Sequence, residues 1–278
     1  MRAAAIQLNS TSDKDANLRE ADRLVREAAA GGARLVVLPE RVNVRGTDAD
    51  YAEQAESLDG PAAAWASDLS RELEIDLVAG SIAERRDGRE KLSNTSLHFG
   101  PDGELKAAYR KIHLFDVTVG DIGYRESASG EPGDEIVTSE TADGTRIGLT
   151  VCYDLRFPEL YRILALKGAR VVTIPSNFTR PTGEAHWEVL IRARAIENQL
   201  FVIAPGQVGA CPEEQGPAYG NSLIADPWGT VLARADGETP GVTAADLSFT
   251  RQDEIRKKLP SLANRVPDAY RWPVEAPV

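Results

Sequence analysis

Cysteine and histidine are scarce in this chain of 278 residues, and each shortage excludes a class of protein. The two cysteines, Cys152 and Cys211, form neither a disulfide framework nor a metal-binding cluster. The sequence has three histidines and neither an HExxH nor a CxxC spacing, so a zinc site is not expected. We therefore predict that the protein works without a bound metal ion and without a cofactor.

Positive charge is also in deficit, because 32 Lys and Arg stand against 43 Asp and Glu and give a net charge of -11. Nucleic acid and anionic lipid both need clustered Lys and Arg, so we expect a small-molecule partner, no nucleic acid and no membrane. The first ten residues, MRAAAIQLNS, hold only about six apolar side chains, too few for a signal-peptide core or a membrane span. A cytoplasmic location is the resulting expectation.

Apolar residues make up 42% of the chain, which suffices for a sizeable core. Strand-like runs such as RLVVLPE and RVVTIPSN alternate with amphipathic stretches such as residues 14–30 and 62–74, and no Gly/Ser-rich or Pro-rich linker divides them. This pattern predicts an α/β fold that forms one domain over residues 1–278, with helices covering apolar central strands. Residues 112–140 are predicted to be irregular.

Two pairs of segments indicate an internal repeat. GARLVVLPE at 32–40 is echoed by GARVVTIPS at 168–176, and NTSLHFGPDGEL at 94–105 by NSLIADPWGTVL at 221–232. Two similar halves would pack as two sheets face to face, with helices outside. The alternative is a chance likeness between two common helix-to-strand connectors. In either case the strand-end residues Glu40, Cys152 and Ser176 are expected to meet at one rim.

Cys152 lies in TVCYDLRFPE, after an apolar strand-like run and before Pro158, which suits the first turn of a helix. Strict alternation predicts a face of small residues made of Gly148, Thr150 and Cys152, with room for a ligand. A helix N-terminus close to the thiol would favour the thiolate. The alternative is an inert buried thiol, as most free cysteines are.

Charged residues stand at the edges of two other apolar runs. Glu40 follows LVVLP directly, which is a costly place for a carboxylate without a partner, although a helix cap or a solvated strand end would explain it too. Lys111 lies among apolar residues in YRKIHLFD, where the alternative is a solvated Arg-Lys pair. A cysteine nucleophile also needs a base, and His113 or His186 would fill that role in a peptidase-like enzyme, but no GxSxG motif is present.

The segments LPE, YRKIHLFD and CYDLRFPE, in this order, resemble the Glu, Lys and Cys motifs of the nitrilase (carbon–nitrogen hydrolase) superfamily. The similarity continues through TGEAHWEVLIRARAIENQLFVIA and YGNSLIADPWGTVLARADG, so it covers nearly the whole chain. Within the superfamily the chain most resembles the Nit1/Nit2 branch of small-acid amidases. The stretch AHWEVLIRARAIE is most similar to the Nit1 type, the deaminated glutathione amidases.

The resemblance implies an α-β-β-α sandwich, assembled as a homodimer or a larger homo-oligomer. It assigns Glu40 as general base, Lys111 as cationic stabiliser and Cys152 as nucleophile, and it matches Glu126 to a glutamate that supports the lysine. The implied reaction hydrolyses a small carboxylated amide, such as deaminated glutathione or 2-oxoglutaramate, to an acid plus ammonia through a thioester. N-carbamoyl-amide hydrolysis, nitrile hydrolysis and a catalytically silent scaffold remain alternatives.

Substrate recognition is predicted for residues near the strand-end motifs. Arg45, Arg156 and Arg180 are candidates to bind a substrate carboxylate, with a fold-stabilising role as the alternative for each. Asn177 is a candidate to line the pocket, and the backbone N–H of Tyr153 to hold the oxyanion. Between Asp116 and Glu126 the chain reads VTVGDIGYR where family members often have a proline-glycine segment, which leaves the substrate open.

Overall fold

The computed structural model describes residues 1–211 and 216–271. Two sheets pack face to face, and helices cover the outer side of each, which confirms the predicted α-β-β-α sandwich. The prediction of one domain over residues 1–278 stays a prediction, since 212–215 and 272–278 lie outside the described residues. In the described part, no helix is long and apolar enough to cross a membrane.

The strands are, in chain order, β1 (Arg2–Gln7), β2 (Leu35–Val37), β3 (Asp76–Val78), β4 (Ile82–Glu84), β5 (Ser93–Phe99), β6 (Leu105–Arg110), β7 (Asp116–Val119), β8 (Ile122–Arg125), β9 (Thr138–Glu140), β10 (Arg146–Leu149), β11 (Val171–Thr173), β12 (Phe201–Ala204), β13 (Val208–Gly209), β14 (Ala218–Tyr219), β15 (Leu223–Ala225), β16 (Val231–Arg234) and β17 (Gly241–Asp246). The α-helices are α1 (Lys14–Ala30), α2 (Asp48–Gln54), α3 (Pro61–Leu73), α4 (Glu126–Ser129), α5 (Pro158–Leu166), α6 (Arg180–Asn198) and α7 (Phe249–Lys258). Two 3-10 helices span Cys152–Arg156 and Pro267–Ala269.

The two large sheets repeat one arrangement. In the first, the order is β17-β1-β2-β3-β5-β4, with β6 paired to β5; in the second, it is β16-β15-β12-β11-β10-β9. Strands β1, β2 and β3 are parallel and are followed by the antiparallel β5 and β6. Strands β10, β11 and β12 are likewise parallel and are followed by the antiparallel β15 and β16. This confirms the repeat that the sequence indicates.

Burial on both faces explains why the central strands are continuously apolar. In β1, Ala3 and Ala5 face the second sheet, whereas Ala4 and Ile6 belong to the core beneath α1 and α3. Helix α1 begins after Asp13, whose side chain caps it by accepting a hydrogen bond from Ala16 N. Its buried residues follow the three- and four-residue spacing of an amphipathic helix, at Asn17, Ala21, Leu24, Val25 and Ala28.

The prediction that residues 112–140 are irregular is wrong in part. Strands β7 and β8 form a hairpin there, α4 adds one turn of helix, and β9 pairs with β10 as the edge strand of the second sheet. The hairpin turn includes Gly120 at φ 59, a conformation that favours glycine. The stretch VTVGDIGYR, which departs from the family pattern, is therefore an ordered hairpin.

Of the predicted face of small residues, Cys152 reaches a cavity, whereas Gly148 and Thr150 are absent from its described lining. Strand β10 ends at Leu149, and the space beside Gly148 is filled by Leu164, whose Cδ1 would stand 2.9 Å from an added Cβ. The Thr150 hydroxyl donates to the Thr173 carbonyl at 2.8 Å. Alternation fails because the chain leaves the strand before it reaches the cysteine, so this face packs beneath α5 instead.

Candidate active site

A cavity of about 390 Å³ opens at the rim where strands of both sheets end. It brings together all four residues predicted to be catalytic, and the described residues that line it include Glu40, Lys111, Glu126, Cys152, Tyr153, Arg156 and Asn177. One wall is the hairpin β7–β8, through Gly123, Tyr124 and Arg125. Residues that are far apart in the chain thus share one concave site.

Glu40 lies just beyond β2 and is 2% exposed, so its carboxylate needs partners. Its Oε1 accepts hydrogen bonds from Lys111 Nζ at 3.1 Å and from Asn94 Nδ2 at 2.8 Å. Its Oε2 accepts one from the backbone N–H of Asn177 at 2.8 Å. The Cys152 thiol lies close enough to this carboxylate for the Glu40 charge to raise the pKa of the thiol. Glu40 is therefore held in place while it contacts the thiol.

Lys111 and Glu126 form the second part of the charge cluster. Lys111 Nζ is 2.8 Å from Glu126 Oε2, which also accepts the backbone N–H of Phe115 at 2.7 Å. Burial alone would lower the pKa of Lys111, but the carboxylates of Glu126 and Glu40 raise it well above its usual value. Burial alone would raise the pKa of Glu126, but Lys111 lowers it to about 2. Both groups are therefore ionised at neutral pH.

Asn94, on β5, is a member of the site that the sequence did not single out. Its Nδ2 donates to Glu40 Oε1 at 2.8 Å and to Glu126 Oε1 at 3.3 Å, so one amide group joins both carboxylates. The available signal was its position at the start of the repeated NTSLHFG segment, near the start of a largely buried strand. A neutral donor suits this place because the cluster already holds two carboxylates against one ammonium.

Cys152 begins the 3-10 helix in a left-handed backbone conformation, at φ 48. Such a conformation costs about 1–3 kcal/mol for a residue with a side chain and persists only where its surroundings fix it. Here the Cys152 N–H donates to the Pro175 carbonyl at 2.9 Å. Burial and then the Glu40 charge raise the pKa of the thiol well above its usual value, against the opposite effect of Lys111. Burial and the Glu40 charge thus favour the thiol, which is opposite in direction to the effect expected of a helix terminus.

The backbone N–H of Tyr153 follows the thiol directly and donates no hydrogen bond within the described part of the chain. Its ring packs edge-on against Phe115 and Phe157, with ring centroids 5.1 and 5.4 Å apart. These aromatic contacts fix the wall of the cavity beside the thiol. The N–H is thus available to an oxygen atom of a bound substrate.

The histidines do not offer a base to the thiol. Of the described residues that line the cavity, none is a histidine. His113 Nδ1 is 2.7 Å from Asp154 Oδ1, and its ring stacks on Phe157 at a centroid distance of 3.5 Å. His186 Nδ1 is 3.3 Å from Arg156 Nη1. The peptidase-like pairing therefore has no geometric support.

The three candidate arginines occupy different environments. Arg156 lines the cavity, where its Cζ lies 5.6 Å from the centre of the Phe178 ring. Arg45 is fully buried and bonds to Asn9 Oδ1 at 3.1 Å and the Gly209 carbonyl at 3.0 Å, so its role is in the fold. Arg180 is half-exposed, lies 4.0 Å from Glu238, and is absent from the described lining of the cavity.

Of the remaining predicted residues, Asn177 reaches the site and Ser176 does not. Asn177 lines the cavity and its N–H binds Glu40. The Ser176 hydroxyl is fully buried and donates to the Ile174 carbonyl at 3.0 Å. In the described part of the chain, no group of three or more His, Cys, Asp or Glu side chains is arranged to hold a metal ion.

In this cavity a carboxylate and an ammonium, rather than a histidine, lie beside a cysteine thiol, and the cavity opens between two facing sheets. This arrangement defines a class of hydrolases that attack carbon–nitrogen bonds with a cysteine. The chain belongs to the carbon–nitrogen hydrolase family, whose model matches residues 2–257. It is a hydrolase acting on carbon–nitrogen bonds.

The comparisons extend to individual proteins. The chain is 40% identical over 267 residues to a deaminated glutathione amidase of Synechocystis, with 95% of this chain and 97% of the relative covered. It is 40% identical over 277 residues to human omega-amidase NIT2, with 99% of each covered. The crystal structure of Saccharomyces cerevisiae Nit3, a member of branch 10 of the nitrilase superfamily, superimposes with a TM-score of 0.85 at 33% identity and covers 94% of each chain.

Proposed function

We propose that the protein is an amidase that hydrolyses a small carboxylated amide through a thioester on Cys152. The observation that carries the proposal is the Glu40 carboxylate, which contacts the Cys152 thiol and the Lys111 ammonium inside one cavity. This places a nucleophile, a base and a cation within reach of one bound carbonyl group. The full-length relatives, an omega-amidase among them, support the same reaction class.

The first step is attack by sulfur on the amide carbonyl carbon. Because burial raises the pKa of the Cys152 thiol, Glu40 must accept the thiol proton as the S–C bond forms. Glu40 Oε1 already accepts bonds from Lys111 and Asn94, whereas Oε2 has one backbone donor. The carbonyl π electrons move to oxygen and form an oxyanion.

The oxyanion has two donors at hand, the Lys111 ammonium and the Tyr153 N–H. A fixed donor of this kind is worth about 10²–10³ in rate in other acyl-transfer enzymes. As the intermediate collapses, the C–N bond breaks and Glu40 returns the proton to the leaving nitrogen, which departs as ammonia from a primary amide. Glu40 then takes a proton from water, whose oxygen attacks the thioester, and the sulfur leaves and is reprotonated.

Arg156 is the residue we propose to bind the substrate carboxylate. It lines the cavity together with Phe178, and among the described residues its guanidinium makes no ion pair with a carboxylate. A planar guanidinium binds a carboxylate through two parallel hydrogen bonds. Deaminated glutathione and 2-oxoglutaramate both carry such a group, so Arg156 serves either substrate.

We also propose that the protein acts in the cytoplasm as a homodimer or a larger homo-oligomer. Neither cysteine forms a disulfide within the described residues, which suits a reducing compartment. Apolar side chains are exposed along α5 and α6, at Ile163, Leu166, Val189 and Ile196, and such a surface is typical of an interface between copies. Light scattering during gel filtration measures the mass, and a monomer at micromolar concentration would contradict the assembly.

The test is a substrate panel of deaminated glutathione, 2-oxoglutaramate, 2-oxosuccinamate, an N-carbamoyl amino acid and an aliphatic nitrile. Product is followed by mass spectrometry, and ammonia is measured for the primary amides. We expect turnover of at least one carboxylated amide, with a transient acyl adduct on Cys152 that the Cys152→Ala variant lacks. Turnover of the N-carbamoyl compound or the nitrile alone would contradict the proposed substrate class. No turnover and no adduct with any compound would indicate a silent scaffold.

A further inference from the structure

Two short backbone segments carry the reacting groups, and one side chain joins them. The nucleophile segment, residues 151–154, contains Cys152; the lysine segment, residues 109–113, contains Lys111 at its centre. The segments belong to different halves of the repeat, since one follows β10 and the other spans the end of β6. The distance between thiol and ammonium therefore depends on whatever holds the segments together.

Asp154 is that link. Its Oδ2 accepts the Val151 N–H at 2.8 Å within its own segment and the Tyr109 hydroxyl at 2.7 Å across the gap. Its Oδ1 accepts the backbone N–H of His113 at 3.2 Å and the ring Nδ1 at 2.7 Å. The contacts on the lysine segment lie two residues before and two residues after Lys111. A single carboxylate thus binds that segment on both sides of the ammonium-bearing residue.

The partners of Asp154 are themselves fixed. The His113 ring lies nearly parallel to the Phe157 ring, at 8° and a centroid distance of 3.5 Å, which leaves Nδ1 directed at the carboxylate. The Tyr109 hydroxyl accepts the Ile112 N–H at 3.3 Å while it donates to Asp154. Asp154 is fully buried and accepts four hydrogen bonds, so its position is strongly determined.

We propose that Asp154 is a positioning residue that sets the placement of the Lys111 ammonium relative to the Cys152 thiol and the Tyr153 N–H. The proposal rests on the proposed function, in which the Cys152 sulfur attacks the carbonyl and the other two groups bind the oxyanion. Asp154 is absent from the described lining of the cavity, so it acts through its neighbours and not on the substrate. The same contacts explain how Cys152 keeps its left-handed backbone conformation, since Val151 precedes it and is bound to Asp154.

The molecule contains a matched control in Asp76. This carboxylate is also buried, 3.2 Å from a histidine ring nitrogen (His98 Nε2), and accepts the backbone N–H of Ala142 at 3.0 Å. It joins the two sheets by the same kinds of bond, but outside the described lining of the cavity. Asp154→Asn and Asp76→Asn therefore make the same chemical change in similar surroundings, and only the first adjoins the reacting groups.

The experiment measures kcat and KM on an amide that the wild type hydrolyses, together with urea unfolding for each variant. Asp154→Asn is expected to lower kcat about 10- to 100-fold with KM changed less than about threefold, because small misplacement of reacting groups costs that much. Asp76→Asn is expected to lose stability and keep kcat. Equal kcat in the two variants, or a loss confined to KM, would overturn the proposal.

A second readout needs no substrate and so separates this proposal from the proposed function. The rate of Cys152 alkylation by iodoacetamide is followed against pH by intact mass. Since Lys111 lowers the pKa of the thiol, displacing the ammonium should shift the alkylation profile of Asp154→Asn to higher pH and slow the reaction at pH 8 about three- to tenfold. Unchanged alkylation would count against the proposal even if the wild type hydrolysed no amide.

If Asp154→Asn does not fold, Tyr109→Phe removes a single hydrogen bond to the same carboxylate. It should lower kcat about three- to tenfold at constant KM, because Asp154 keeps its other three bonds. A Tyr109→Phe enzyme with wild-type kcat and a wild-type alkylation profile would overturn the proposal.

Discussion

The two halves of the molecule share one strand order and contribute different chemistry to the rim. The half built on β1, β2 and β3 supplies Glu40 and Lys111, and α4, in the segment that connects the halves, adds Glu126. The half built on β10, β11 and β12 supplies the Cys152 thiol and the backbone donors of Tyr153 and Asn177. The Cys152 thiol and the Glu40 carboxylate come from different halves, so the cavity that holds both forms only where the two sheets face each other.

The equivalent strand ends show how the difference arises. Strand β2 is followed by Leu38-Pro39-Glu40 and strand β11 by Ile174-Pro175-Ser176. The Glu40 carboxylate enters the cavity, whereas the Ser176 hydroxyl turns back to the Ile174 carbonyl at 3.0 Å. A long charged side chain reaches the neighbouring half, and a short hydroxyl satisfies its own backbone instead. The repeated fold fixes where a residue stands, and the side chain decides whether the site uses it.

The largest effect should come from removing the cation of the first half. Lys111→Ala takes away an oxyanion donor and leaves two buried carboxylates without their ammonium, so kcat/KM should fall by about 10³-fold or more. Steady-state kinetics on the amide found in the panel measures this. His186→Ala is the control and should keep most of the activity, because His186 lies outside the described cavity lining and its ring Nδ1 is directed at Arg156 and not at the thiol. The opposite ranking would restore the peptidase-like reading.

A smaller effect is expected from removing the Arg156 guanidinium, which belongs to the second half. Arg156→Ala should raise KM about 10- to 100-fold for a carboxylated amide with a smaller change in kcat, because the guanidinium binds a remote group rather than the reacting atoms. The matched control is Arg180→Ala, an arginine that follows the neighbouring strand β11 and does not line the described cavity.

The contrast between these arginines is sharpened by a neutral substrate. An amide of the same length without the carboxylate should be hydrolysed about equally by the wild type and Arg156→Ala. A KM increase that is the same for the charged and the neutral amide, or one that Arg180→Ala reproduces, would remove Arg156 from the substrate site.

Much of the fold was predictable because it rests on local patterns. The apolar runs gave the central strands, and α1 spans the predicted residues 14–30. The hairpin β7–β8 was missed because its alternation is short and its side chains are half-exposed, so no apolar run marks it. The end of β10 at Leu149 was missed because no charged residue or proline interrupts IGLTVC, while the turn that ends the strand is fixed by the distant Pro175 carbonyl.

The residues of the site likewise divide into those that the sequence could predict and those that it could not. Glu40, Lys111 and Cys152 were recognisable because each stands at the edge of an apolar run within a motif, whereas Asn94 carries no charge and its role depends on two carboxylates from other segments. Arg45 and Arg156 could not be separated by sequence, since both lie close to a motif. Only the three-dimensional structure shows that Arg45 bonds to backbone carbonyls and Arg156 faces the cavity.

The smallest effect concerns the Cys152 thiol, which belongs to the second half, while Glu40 of the first half raises its pKa. Because burial and then the Glu40 charge raise the pKa of Cys152, the thiolate fraction should be small at pH 7 and grow about tenfold per pH unit up to pH 9. Alkylation of the wild type by iodoacetamide, followed by intact mass, should therefore accelerate across this range without a plateau. The Cys211→Ser variant, which retains Cys152, should give the same profile and so assigns the adduct. A plateau below pH 8 would mean that the ammonium outweighs burial and the carboxylate, and that the enzyme rests as a thiolate–lysine pair.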